Sequence, residues 1–177
     1  MRFGDFLKAT VLLSAASATL LAALTVIGIS RQVEDTPAYV SAGWWVLATL
    51  IGTYLGSREG ATAPIARLLA SARMQHTLPE LHPARTIFNR LWPLLLATLV
   101  AGVLSFFAPQ IGGIAAGFAI IWALAWRRQE AAVAAIEERD GARFYVDRTS
   151  PLTAIRLIRT PGFGGDFLAP AQREYGT

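Results

Sequence analysis

Three stretches of the chain carry no charged side chain: residues 9–30, 36–57 and 91–126. About 20 apolar residues cross a hydrocarbon core of about 30 Å, so the first two stretches each predict one membrane helix. The third would run roughly 54 Å at a rise of 1.5 Å per residue, too far for one crossing. It is interrupted by Ala108-Pro109-Gln110-Ile111-Gly112-Gly113, where proline lacks an amide donor and the glycines loosen the backbone. The pattern therefore predicts an all-α integral membrane protein. Its four transmembrane helices lie near residues 5–30, 36–57, 87–107 and 111–128, as two hairpins. The halves of the last hairpin are short. A full span is expected if Arg90 and Arg127 snorkel; the alternative, a re-entrant hairpin, needs protein around its tip. The first apolar stretch is longer than a signal-peptide core and is followed by no small-x-small cleavage site, so it reads as a retained helix.

Charge between the helices predicts the threading. Arg2 and Lys8 precede the first helix, and Arg31 stands beside Glu34 and Asp35 in the first connection. Arg58, Arg67, Arg73, Arg85 and Arg90 crowd the second, the 109–113 turn has no charge, and Arg127-Arg128 follow the last helix. Basic residues thus alternate rich and poor, which under the positive-inside rule places both termini and the middle loop in the cytoplasm. Trp44 and Trp45 near the outer end of the second helix, and Trp92 and Trp126 near the inner ends of the others, suit headgroup level.

Lipid supplies no hydrophobic drive between helices, so small residues that admit close approach are the candidate packing sites. Gly52 and Gly56 form one GxxxG pair, and Gly113 and Gly117 another. Either packing within the chain or a subunit interface satisfies that motif.

The connection 58–86 contains an amphipathic stretch, Pro64–Met74, suited to a helix on the membrane surface. Beyond the membrane domain of residues 1–128, residues 129–177 continue as a cytoplasmic extension of helix four, with Gly141 as its stop. The remaining tail reads as mostly irregular. Residues 143–149 alternate like a strand, but one strand makes no sheet, and Leu152, Ile155 and Ile158 recur at three-residue spacing. Such a tail is too short for a core of its own. Its apolar and basic residues Phe144, Tyr145, Ile155, Arg156, Ile158, Arg159, Phe163 and Phe167 are therefore candidate contacts with a partner, the middle loop or the membrane surface.

Composition sharpens this picture. Hydrophobic residues make up 54% of the 177 and charged ones 16%, against about 25% charged in soluble domains. With no cysteine, a disulfide scaffold, a thiolate metal site and a redox pair are excluded. The net charge of +4 reads as an orientation signal and contact with anionic headgroups rather than nucleic-acid binding. Fifteen arginines against one lysine, with 31 alanines, suggest a GC-rich bacterial genome.

Candidate chemistry is sparse. The central parts of the four helices carry no ionisable residue, which disfavours ion-coupled transport. His76, Glu80 and His82 match no metal-ligand spacing. Glu137, Glu138 and Asp140 read as a solvated helix face, and Gly162-x-Gly164-Gly165 lacks the lysine and hydroxyl of a phosphate loop. No catalytic, cofactor or metal residue is predicted. The expected role is a non-catalytic accessory or structural subunit of a bacterial inner-membrane complex, in contact with lipid and with other membrane subunits. The alternative is a homo-oligomeric pore or transporter component with a hydroxyl-lined path.

Overall fold

The computed structural model describes residues 1–33, 36–57, 60–74, 83–147 and 155–161. Among the described residues the helices are α1 (Phe3–Ile29), α2 (Thr36–Gly56), α3 (Ala63–Ala70), α4 (Pro83–Ser105), α5 (Pro109–Trp126) and α6 (Gln129–Arg139). The strands are β1 (Arg73–Met74), β2 (Ala142–Val146) and β3 (Leu157–Pro161). Four helical segments, namely α1, α2, α4 and α5 running on into α6, are long and apolar enough to cross a membrane. The chain is a multi-pass, mostly helical membrane protein. Its helix ends lie within a few residues of those predicted, the largest difference being at α4, which begins four residues earlier than residue 87.

The packing order differs from two self-contained hairpins. α5 lies against both α1 and α2 along their lengths, while α1 and α2 barely touch, and α4 packs on α1 and α5. Small side chains set that order. The buried residues of α2 are Ser41, Ala48, Gly52 and Gly56, one narrow seam on an otherwise exposed apolar helix. On α5 the seam is Gly112, Gly113, Ala116, Gly117, Ala119 and Ala123 with Pro109. A helix that is small on one side and large on the rest presents its backbone to a neighbour and its side chains to lipid.

At one end of the bundle the α4–α5 turn meets the end of α1. A methyl group at Gly28 would sit 2.7 Å from Pro109 Cγ, so the turn reaches the level of the α1–α2 connection. Pro109 stands in the first turn of α5, where its missing N–H costs no helix bond.

At the other end the chain builds a cap. β2 pairs antiparallel with β3, Tyr145 opposite Ile158, and β1 joins β3 in parallel. The N-terminal residues extend the sheet: Arg2 bridges to Tyr145, and the Val146 N–H donates to the Met1 carbonyl at 3.0 Å. The predicted irregular tail is therefore corrected at Ala142–Val146 and Leu157–Pro161, which are strands. Its second strand and its cross-chain partners are distant in sequence, so local spacing could not reveal them. Under the sheet, Phe3, Phe6 and Leu7 of α1 meet Ile65 and Leu69 of α3, Leu91 of α4, Val133 of α6 and Phe144, Val146 and Leu157 of the strands. The first two turns of α1 thus belong to the cap and the rest to the bundle.

Polar ties lock cap to bundle at the break between α5 and α6. Gln129 is 2% exposed; its Oε1 accepts the Thr62 N–H at 2.9 Å and its Nε2 faces the Gly60 carbonyl at 3.5 Å. Arg128 Nη1 donates to the Ser57 carbonyl at 3.2 Å. Glu137 was expected on a solvated face, but its side chain is 9% exposed: Oε2 pairs with Arg2 at 3.1 Å and Oε1 accepts the Phe144 N–H at 2.9 Å. Gly141 ends α6 in the left-handed region, φ +57°, as glycine does after a helix.

Candidate functional site

A cleft of about 420 Å³ lies where the cap meets the bundle. α1 supplies Phe3, Phe6, Leu7 and Thr10, α3 supplies Pro64, Ile65 and Leu68, and α5 supplies Trp122 and Trp126. The α4 wall is Arg90, Leu91, Pro93 and Leu94, with Ile155 closing the sheet side. The two indoles stack at 5.5 Å. Thr10 Oγ1 donates to the Phe6 carbonyl at 2.9 Å, which removes its polarity from the lining. Arg90 is the charged side chain in this wall, and Asp147 acts on it electrostatically.

The four predicted packing glycines all stand on the α2–α5 contact. A methyl at Gly56 would overlap the Leu124 carbonyl oxygen, and one at Gly52 would lie 3.0 Å from Ile121 Cα. A methyl at Gly113 would lie 2.7 Å from Ser41 Oγ, and one at Gly117 would run into the Trp44 indole. Trp44 and Trp45, expected at headgroup level, clasp α5: Trp44 Nε1 donates to the Ile114 carbonyl at 3.0 Å and Trp45 Nε1 to the Gly113 carbonyl at 2.8 Å. An indole N–H held against apolar surroundings needs an acceptor, and the glycine-thinned backbone of α5 provides it.

The buried hydroxyls of the bundle turn back on their own helices. Ser14, Thr25 and Ser105 donate to the carbonyls four residues earlier at 2.8, 2.7 and 2.6 Å. Thr98 donates to the Leu94 carbonyl at 2.8 Å and meets Ser17 Oγ at 3.0 Å across the α1–α4 contact. Hydroxyls in this arrangement pack helices. Thr49 and Thr53 lie on the exposed side of α2.

The tail residues expected to face a partner divide. Phe144, Tyr145 and Ile158 are 2%, 8% and 6% exposed; their own chain covers them, and Phe144 lies in one cluster with Ile65 and Leu69 of the middle loop. Ile155 and Arg159 are half-buried and Arg156 is exposed. Phe163 and Phe167 lie outside the described residues, as do His76, Glu80 and His82. Among the described residues no group of three His, Asp or Glu converges on a point.

Several of these side chains escaped the sequence reading. Arg90 had a signal: it precedes a helix proline by three residues at the start of an apolar run. Gln129 and Glu137 had none, because their partners are about 70 and 135 residues away. The fold and the cleft together define a four-span membrane protein with a strand-bearing cap. No family model, no curated protein and no solved structure matches the chain.

Proposed function

We propose that the chain is a non-catalytic accessory subunit of a bacterial inner-membrane complex, with both termini cytoplasmic and a partner held through the residues that follow β3. One observation carries this reading. The buried hydroxyls of Ser14, Thr25 and Ser105 are bonded within their own helices, and the cap buries Phe144, Tyr145 and Ile158. The remaining candidate contacts are then the exposed Arg156 and the aromatic run around Phe163 and Phe167. Apolar residues on a segment too short to fold alone are the ordinary equipment of a docking element. The positive-inside alternation supports the orientation, and the bridge between Arg2 and Tyr145 supports a common side for the N-terminus and the cap.

The test is truncation after Pro161, which leaves β3 intact. The full chain, extracted in mild detergent, is expected to run as a complex with a second polypeptide at fixed stoichiometry. The truncated chain is expected to run without it, at unchanged thermal stability. An identical complex from both chains overturns the docking role, and a ring of identical subunits overturns the accessory role.

A further inference from the structure

The cleft between cap and bundle goes beyond that reading. We infer that it holds one acyl chain of an anionic phospholipid, with the lipid phosphate on Arg90. Its volume of about 420 Å³ falls in the range of small-ligand sites, about 300–1,000 Å³. Aside from Arg90 and the internally bonded Thr10, the lining is apolar and aromatic. Water gains little in such a space, since it needs two to four polar partners. A methylene, by contrast, gains about 0.8 kcal/mol on leaving water.

The position in the fold selects a lipid. Trp122 and Trp126 line the cleft at the end of α5, and Arg127 and Arg128 follow immediately. Indoles followed by arginines mark the headgroup level of one leaflet. The cleft is partly open, so a phospholipid can place one chain inside and leave the other in the bilayer.

The charge selects the headgroup. A guanidinium offers five donors in a planar fork matched to phosphate oxygens. Asp147 acts on Arg90 electrostatically, so the anionic head competes with that carboxylate for the fork. A phosphatidylglycerol head carries an uncompensated negative charge to this position, whereas a phosphatidylcholine head brings its own cation. Arg90 in the wall of an apolar slot therefore discriminates between the two.

The indoles in the wall provide the readout. The full chain is reconstituted in phosphatidylcholine nanodiscs doped with acyl-brominated phosphatidylglycerol or acyl-brominated phosphatidylcholine, and tryptophan emission is followed. Quenching is expected to saturate at a low mole fraction of the anionic lipid and to rise in simple proportion to the zwitterionic one. Superimposable curves overturn the inference without any variant. In native mass spectrometry, one phosphatidylglycerol per chain is expected to be retained about tenfold over phosphatidylcholine. Arg90→Gln is expected to erase that preference, and Arg90→Lys to restore part of it. Leu94→Trp, which fills the slot and keeps the charge, is expected to lose the retained lipid. Retention undiminished in Arg90→Gln, or displacement of the phospholipid by equimolar palmitate, overturns the assignment.

Discussion

Adding one methyl group to α2 at two positions, 13 residues apart, is expected to move stability in opposite directions. Gly43 has nothing within 4 Å of a built Cβ, whereas at Gly56 the methyl overlaps the Leu124 carbonyl oxygen, with the carbonyl carbon at 3.1 Å and Ala125 Cα at 3.4 Å. Glycine in a helix interior is destabilising by roughly 0.5–1 kcal/mol relative to alanine. Gly43→Ala should therefore stabilise by about that amount. At Gly56, the last residue of α2, that gain is at most as large and is opposed by overpacking, which costs about 1–3 kcal/mol. The obstacle there is peptide backbone at the end of the α5 seam. It cannot rotate aside, so the upper half of that range applies and α2 must move away from α5. A net loss of about 1–2 kcal/mol results. Moving α2 would also strain the indole bonds from Trp44 and Trp45, so its separation should be visible in their emission. The assay is reversible unfolding in mixed micelles of mild detergent and increasing denaturing detergent, read by tryptophan fluorescence. If both variants shift the midpoint the same way, the α2–α5 seam is not packed as described, and the argument from close approach fails.

The same seam can be tested for being within one chain. Because the protein has no cysteine, Ser41→Cys with Gly113→Cys, whose Cβ positions would lie 3.3 Å apart, should close an intrachain disulfide on oxidation; a covalent dimer in its place would assign these glycines to a subunit interface. Gln129→Leu leaves the Thr62 N–H without its acceptor, a loss of about 1–3 kcal/mol, so hydrogen exchange at Thr62 should accelerate at least about tenfold; unchanged exchange would remove Gln129 as the clamp. Glu137→Ala is expected to destabilise the cap, chiefly through the Phe144 N–H left without its acceptor, since the Arg2 side of the pair is half-exposed and screened; faster proteolysis within β2 and β3 than in the α2 helix is the measurement, and equal rates would refute it. The Arg139 hydrogen bond holds the Asp140 carboxyl below its ordinary value, so the pair's contribution is present above the carboxylate range and is lost as pH falls through the lowered value. In Arg139→Gln the Asp140 carboxyl resonance should titrate at higher pH, and an unmoved midpoint would contradict the pairing.

What could be read from the chain and what could not follow from the range of the forces involved. A membrane span is a statement about composition over about 20 residues, so α1, α2 and α5 are legible to within two residues at each end from charge-free runs and one proline. The four glycines are legible as candidates, but a GxxxG pair does not name the helix it faces, and the insertion of α5 between α1 and α2 depends on how two distant seams fit. The cap was least legible. β2 could be read from the alternation over residues 143–149, but the partners that make it a sheet could not: β1 has two residues, too few to carry a pattern, and the pairing with Arg2 joins opposite ends of the sequence. Glu137 beside Glu138 is indistinguishable in sequence from a solvated pair; only the arrival of Arg2 and the Phe144 amide separates them. Arg90 was legible as a cation near a helix end, and its cleft was not.

The two ends of the molecule are assembled by different physics, and the cleft stands at their junction. In the bundle, the buried cluster is Leu21, Ala101 and Ala116, with alanines and Trp45 around it. Side chains there gain nothing by leaving lipid for protein, so association relies on close backbone contact and satisfied hydroxyls. In the cap, the core is Phe3, Phe6, Leu7, Ile65 and Phe144, large residues whose burial is driven by removal from water. Helices drawn together by glycine and alanine seams approach closely, whereas a core of phenylalanine and leucine holds its elements further apart. α1, α4 and α5 take part in both arrangements, and where the spacing changes, their walls part. The small seam of α5 ends at Ala123, and Trp122 and Trp126 occupy the widening. A cleft at this level is thus a consequence of one set of helices serving two solvents. Its filling by a lipid chain would extend the lipid-facing surface into the one part of the junction that neither kind of packing closes.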